Sequence, residues 1–277
     1  MFLKTWGNSP FHMQDRHTDR LRYFSELSKT SKKYFIPYIS QFIKINPNME
    51  ILEVGCGEGG NLLPFAVYGC NVTGIDISSN RINQANSFFH DSGLKYEFIA
   101  ADIFKYDFNK KHYDIIICHD VFEHISKKQE LLQFFEKHLS INGIVFLAFP
   151  AWQMPFGGHQ QICKSKVLSF VPFIHLLPNV IYTSILNLFN ESNACIKELL
   201  DIKSTHITIE SFYSLNKSSN LNIKNSLFWL INPHYEEKFG LKPRKLWPIV
   251  SKIKYVRNFL TTSFWCILKY SLPSQVK

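Results

Sequence analysis

"ILEVGCGEGGN", residues 51–61, decides the fold: an apolar, strand-like run passes directly into a cluster of glycines. Glycine has no Cβ, so such a cluster after a strand lets a ligand approach the backbone closely. The ligand to be identified is a triphosphate, a dinucleotide, or a molecule with no phosphate at all.

Reading outward, strand signals recur at 49–54 (MEILEV), 71–76 (NVTGID), 95–100 (KYEFIA), 113–118 (YDIIIC) and 143–149 (GIVFLAF). Helix signals lie between them at about 60–69, 78–91 and 127–139, with Ser78 or Ser79 as cap of the second and Ser126 of the third. Apolar strands alternating with helices predict a parallel sheet covered on both faces. Upstream, 19–45 predicts two helices, the second carrying Pro37. After Pro150 the alternation stops. Residues 151–204 form a long apolar insertion, 205–215 predict a helix capped by Thr208, and 222–231 and 263–270 predict two more strands. The expected fold is α/β: a Rossmann-like, seven-stranded, mostly parallel sheet with N-terminal helices and a helical lid after strand five. Its expected divisions are an N-terminal helical segment (1–48), a cofactor-binding core (49–150), an apolar lid or substrate insertion (151–204), and the C-terminal part of the sheet with a basic-aromatic segment (205–277).

A phosphate-cradling P-loop requires Lys and then Ser or Thr after its last glycine, but Gly60 is followed by Asn61 and Leu62. A dinucleotide fingerprint fits Gly55, Gly57 and Gly60, with Asp76 ending the next strand. Further acids decide between the ligands. Glu53 precedes the first glycine, Asp102 follows strand three in "AADIF", and strand four ends in "CHDVFEHI". Carboxylates at the carboxyl ends of successive parallel strands serve a pyrophosphate poorly. They serve well a ligand with an ammonium, a ribose and an adenine amine, which describes S-adenosylmethionine.

"LEVGCGEGGNL", "VTGIDIS", "AADIF" and "DVFEHI" together resemble the successive motifs of class I S-adenosylmethionine-dependent methyltransferases, nearest the branch with quinone-biosynthesis O-methyltransferases. The resemblance covers about residues 45–150 and bears on cofactor and fold more than on substrate. It implies that Gly55, Gly57 and Gly59 wrap the methionine and ribose portion, with Glu53 orienting the ammonium side. It implies that Asp76 takes the ribose hydroxyls with Ile77 against the adenine. Asp102 and Ile103 would meet the adenine amine, and His119 the methionine moiety. Cys56 beside them reads as a small packing residue at the cofactor, not a nucleophile.

Methyl transfer to a hydroxyl needs acceptor positioning and proton removal. Candidate bases are therefore His124, just after strand four, and His159 in "AWQMPFGGHQQICK" (151–164), where Gly157 and Gly158 let the loop fold over the site and Gln160 adds a polar contact. Asp120, Glu123 and His124, spaced i, i+3, i+4, would share one helical face and could hold a divalent metal, as the resemblance permits; no metal ligand is assigned from the sequence.

The net charge of +9 is uneven: residues 1–48 carry 8 Lys/Arg against 3 Asp/Glu, 49–232 carry 14 against 17, and 233–277 carry 9 against 2. Basic flanks suit an anionic partner or a solvated surface. Residues 241–270 interleave Lys and Arg with Trp247, Tyr255, Phe259, Phe264 and Trp265, and 167–189 lack any charged residue but contain Pro172 and Pro178. Both features predict a peripheral, non-spanning membrane contact and a small or lipid-like acceptor. There is no base-amine methylation motif and no RNA-binding module, which disfavours nucleic acid. The six cysteines show no C-x-x-C pair and the N-terminus no apolar signal core, so a reduced, cytoplasmic setting at the inner membrane face is expected. The rival readings are an NAD-dependent oxidoreductase, which would not need Asp102, and a catalytically silent cofactor-binding protein. Oligomeric state and acceptor identity are not legible.

Overall fold

The computed structural model describes residues 19–270, so the expectations for 1–18 and 271–277 lie outside the described residues. Five strands follow the predicted order: β1 (Glu50–Val54), β2 (Asn71–Asp76), β3 (Tyr96–Ala100), β4 (Tyr113–His119) and β5 (Leu139–Phe149). They are completed by β6 (Leu221–Ile231), β7 (Arg244–Lys245) and β8 (Ser263–Tyr270) in one sheet of order β3-β2-β1-β4-β5-β8-β6-β7. The first five pair in parallel, whereas β8 is antiparallel to both β5 and β6. The sheet has eight strands where seven were expected. The extra one, β7, is a two-residue edge strand against Trp229 and Ile231, too short to leave a periodic signal.

The central strands are apolar throughout because both faces are covered. Leu52, Val54, Ile116 and Cys118 enter one core with Phe122, Phe135 and Phe212. Ile51, Ile115, Ile117 and Phe146 enter the other with Phe35, Phe65 and Trp265. Helices α3 (Leu63–Val67), α4 (Ser79–Phe89) and α5 (Lys128–His138) are the crossovers. Ser78 caps α4 by accepting from the Arg81 N–H. The expected Ser126 cap on α5 is not formed: Lys127 takes the cap position, with no side-chain bond.

The two expected N-terminal helices are one continuous rod: α1 (Arg20–Thr30), a π-helical segment Ser31–Phe35, and α2 (Ile36–Ile39). Pro37 sits in the first turn of α2, so the widened π turn lies where its missing N–H interrupts the ladder.

Residues 151–204 hold α6 (Lys166–Phe170), a 3-10 turn Ile174–Leu176, α7 (Asn179–Leu188) and α8 (Asn193–Thr205) around a small core of Leu168, Ile174, Tyr182, Leu186, Ile196 and Leu199. Among the described residues, no helix is long and apolar enough to cross a membrane. A separate helix, α9 (Ile209–Asn216), follows with a capping box between Thr208 and Ser211. Beyond β6 come α10 (His234–Phe239), α11 (Pro248–Lys252) and α12 (Val256–Leu260). One expectation is corrected here. Phe264 and Trp265 cannot belong to an exposed aromatic segment, because β8 lies inside the sheet and both are fully buried.

Candidate functional site

A cavity of about 850 Å³ opens at the carboxyl ends of β1 to β4. The glycine turn forms its floor. The N–H groups of Gly55 and Cys56 both donate to the Ile75 carbonyl, at 2.8 and 3.1 Å, which ties the turn to β2. Gly55 has φ +69°, and a Cβ there would lie 2.3 Å from Val121 Cγ2, so both backbone and neighbour demand glycine. Gly55, Cys56 and Gly57 line the cavity. Gly59 does not; it packs under Phe98 and Phe89. The α1 rod clamps the turn from above: Arg20 pairs with the buried Glu58 at 3.2 Å, and the Ser31 hydroxyl donates to the Asn61 carbonyl at 2.7 Å.

Asp76 lines the next part of the wall. Its Oδ2 accepts from the Gly57 N–H at 2.9 Å and its Oδ1 from the Ser78 N–H at 2.8 Å, so the carboxylate is aimed by backbone donors with lone pairs to spare. Ile77 beside it projects into the opening, 79% exposed. Asp102 is oriented likewise by the Phe104 N–H at 3.0 Å, with Ile103 lining the wall at its side. His119 ends β4 with its ring 4.8 Å from Phe35 and its Nε2 buried without a hydrogen-bond partner.

Glu53 lies behind this wall and does not line the cavity. Its Oε1 accepts from Asn61 Nδ2 at 2.7 Å, and Asn61 does line it. Burial pushes the Glu53 carboxyl up to about 8; the Asn61 bond opposes this and the Asp76 charge adds to it. Cys56 is buried, and desolvation holds its thiol well above the ordinary range, so it is a poor nucleophile.

The rim differs from the expected helical triad. Phe122–His124 is a single 3-10 turn, and Asp120 precedes it in a left-handed conformation (φ 53°), so Asp120 does not stack over His124. The groups that converge are Glu123, His124 and His159, each offering a ligand atom within 4.8 Å of the others. That set could take a divalent cation. The His124 and His159 rings meet edge to face at 4.9 Å. Both Glu123 oxygens are buried without a hydrogen-bond partner, and burial holds its carboxyl well above the usual range, with Asp120 adding to the shift. Burial lowers His159 to about 3, helped by the His124 charge. His124 is lowered too, by burial first, with the Asp120 charge opposing.

Two loop expectations also change. Gln160 faces inward, donating to the carbonyls of Pro155 and Val171, and is fully buried. Gly157 and Gly158 serve packing. A Cβ on Gly158 would lie 2.1 Å from His175 Cβ, and one on Gly157 2.2 Å from the Trp152 carbonyl oxygen. Gly158→Ala is therefore expected to destabilise the fold by about 1–3 kcal/mol, as overpacking does. Chemical denaturation of the variant against the parent checks this.

Sequence reasoning missed Tyr23 on α1, Arg81 on α4, and the face of α8 that brings Lys197, Glu198 and Asp201 to the cavity. Tyr23 precedes the glycine motif by a whole helix and carries no local signal. The α8 residues recur at i, i+1 and i+4, a pattern shared with any solvated helix face.

Residues 45–169 match the family model described as a methyltransferase domain. A ubiquinone biosynthesis O-methyltransferase of Rickettsia prowazekii (strain Madrid E) is 36% identical over 117 residues, which is 41% of this chain and 46% of that protein. One of Rickettsia canadensis (strain McKiel) is 33% identical over 116 residues, 42% of this chain and 49% of that protein. The chain thus spans about half the length of the curated relatives it matches. Among solved structures, the plantazolicin methyltransferase in complex with SAH superposes with a TM-score of 0.54 at 19% identity, covering 93% of this chain and 87% of that one. A S-adenosylmethionine-dependent methyltransferase of Clostridium acetobutylicum ATCC 824 gives 0.56 at 12% identity, covering 88% and 92%. These likenesses show that the fold is shared.

Proposed function

We propose, from the match of residues 45–169 to the methyltransferase-domain family model, that the protein transfers a methyl group from S-adenosylmethionine to an oxygen of a small or lipid-like acceptor. The observation that carries the reading is the pair Asp76 and Asp102. Each carboxylate is held by a backbone N–H at the end of its strand, on one wall of the cavity that the glycine turn floors.

The residues present fit that cofactor. The glycine turn leaves backbone open to the cavity, and the buried His119 Nε2 has no partner of its own. Asp76 would take the ribose, Asp102 with Ile103 and Ile77 the adenine, and Gly55, Gly57 and His119 the methionine portion. Glu53, held away from the cavity, would act through Asn61. The bound cofactor supplies an activated methyl group with its leaving group attached. What remains for the chain is to position the acceptor and remove its proton. The two rim histidines differ in fitness for that. His159, held near 3 by burial, is too weak a base and instead braces the His124 ring edge to face. His124, lowered by burial with the Asp120 charge opposing, lines the cavity and is the base. Calorimetry tests the cofactor: S-adenosylmethionine or its demethylated product binds and NAD does not, and tighter binding of NAD would sink the assignment.

A lipid-like acceptor is supported by an exposed apolar and aromatic surface. Phe170, Val180, Ile181 and Leu188 of the insertion are exposed, as are Trp247, Ile249 and Tyr255 around α11. Phe173 and Phe259, with ring centroids 6.2 Å apart, join the two groups, and exposed Lys252 and Lys254 border them. Aromatics and lysines so mixed suit a lipid headgroup region, each basic residue adding about 1 kcal/mol near an anionic surface. The protein is expected to co-sediment with anionic vesicles at low salt and to be released at high salt. Equal, negligible sedimentation with anionic and neutral vesicles would make the acceptor soluble.

A further inference from the structure

Cysteine spacing along the chain carries no metal signature, yet the insertion brings two cysteines and a carboxylate together. Cys163 ends the 3-10 turn Gln160–Ile162, Glu191 lies between α7 and α8, and Cys195 is in the first turn of α8. Each offers a ligand atom, and these atoms all lie within 4.8 Å of one another. Cys163 and Glu191 are buried, while Cys195 remains half-buried on the open side. The Glu191 carboxylate is fixed in place: its Oε2 accepts from the Lys164 N–H at 2.9 Å and its Oε1 from the Ser165 N–H at 2.8 Å. Each oxygen keeps a lone pair, so these backbone bonds orient the group as outer partners orient a metal ligand.

We propose that Cys163, Glu191 and Cys195 form a site for a thiophilic divalent cation of the zinc type, completed on the Cys195 side by solvent. Two thiolates select a soft cation over calcium or magnesium, and two sulfurs, one carboxylate oxygen and one water satisfy a tetrahedral ion. On coordination each thiol gives its proton to solvent and the carboxylate gives none. Burial, with the Glu191 charge among the contributions, holds the Cys163 thiol at about 12 and the Cys195 thiol at about 11, so coordination must displace both protons.

The site has a mechanical consequence. It would tie the N-terminal turn of α8, whose Lys197, Glu198 and Asp201 face the cavity, to the turn that carries His159 and Ile162. Two walls of the cavity would then be fixed by one ion far from the glycine turn. The proposal does not depend on methyl transfer and stands or falls separately.

The test is a cobalt(II) titration of the full chain, reduced and freed of metal. One equivalent should bind with sulfur-to-cobalt charge-transfer absorption that zinc displaces. The Glu123, His124 and His159 group offers no sulfur, so cobalt there gives no such band. Cys163→Ser and Cys195→Ser should each abolish the band, and Glu191→Gln should weaken cobalt binding by about 10-fold or more. Circular dichroism establishes that each variant folds. Should one not fold, the titration of the parent chain still decides. Absence of the band in the reduced parent chain overturns the proposal. So does its survival in both folded cysteine variants, or recovery of a Cys163–Cys195 disulfide from protein kept under reductant.

Discussion

Asp76→Ala should weaken S-adenosylmethionine binding by about 10²–10⁴-fold. Hydrogen bonds to a charged acceptor are worth about 1.5–3 kcal/mol each, and the reading assigns this carboxylate both ribose hydroxyls, together about 3–6 kcal/mol. The substitution also removes the acceptor for the Gly57 and Ser78 N–H groups, so the glycine turn loses one of its ties to the end of β2 and keeps those to the Ile75 carbonyl. Calorimetry of parent and variant measures the loss. Asp76→Asn, which keeps one acceptor oxygen, should fall between them. If Asp76→Ala binds the cofactor as tightly as the parent, the ribose contact lies elsewhere.

His124→Ala should lower turnover at saturating cofactor by about 10²–10⁴-fold, the usual contribution of a positioned general base. His159→Ala should cost less, since a group held near 3 gains no proton at working pH and its loss only frees the His124 ring. The pH dependence carries its own sign. A base works in its neutral form, and burial lowers the His124 value below that of an ordinary histidine. The rate should therefore be level at and above pH ~6.5, the ordinary histidine value, and fall only on the acid side of it. A rate that keeps climbing through pH 8 would point to the acceptor or another group as the titrating species. Near-normal rates in both histidine variants would place the base outside this pair.

These predictions differ in how far the sequence alone supports them. Asp76 and Asp102 were legible because one ends a strand and the other follows the next by two residues, and an apolar strand is a local property of a few residues. The glycine turn was legible for the same reason. Glu53 was legible as an acid before the glycines but not as a buried one. Its position behind the wall depends on Asn61 folding back over β1, a contact between different elements. The exposed reading of Phe264 and Trp265 failed because a strand's burial depends on its neighbours in the sheet, and β8 lies between β5 and β6, which are distant in sequence.

By itself, then, the sequence determined the parallel β1 to β5 core, the cavity-lining carboxylates Asp76 and Asp102 and the broken apolar insertion, since periodicity, capping and proline act over one element at a time. The tertiary structure alone decided the groupings that need two elements to meet. It brought His159 rather than Asp120 to Glu123 and His124, because the 3-10 turn after β4 is too short to stack i and i+4. It turned Gln160 inward, placed α1 over the glycine turn through Arg20 and Glu58, and set Cys163 against Cys195 across the whole of α6 and α7. Side-chain convergence of this kind follows from packing of faces against each other, and no spacing along the chain encodes it.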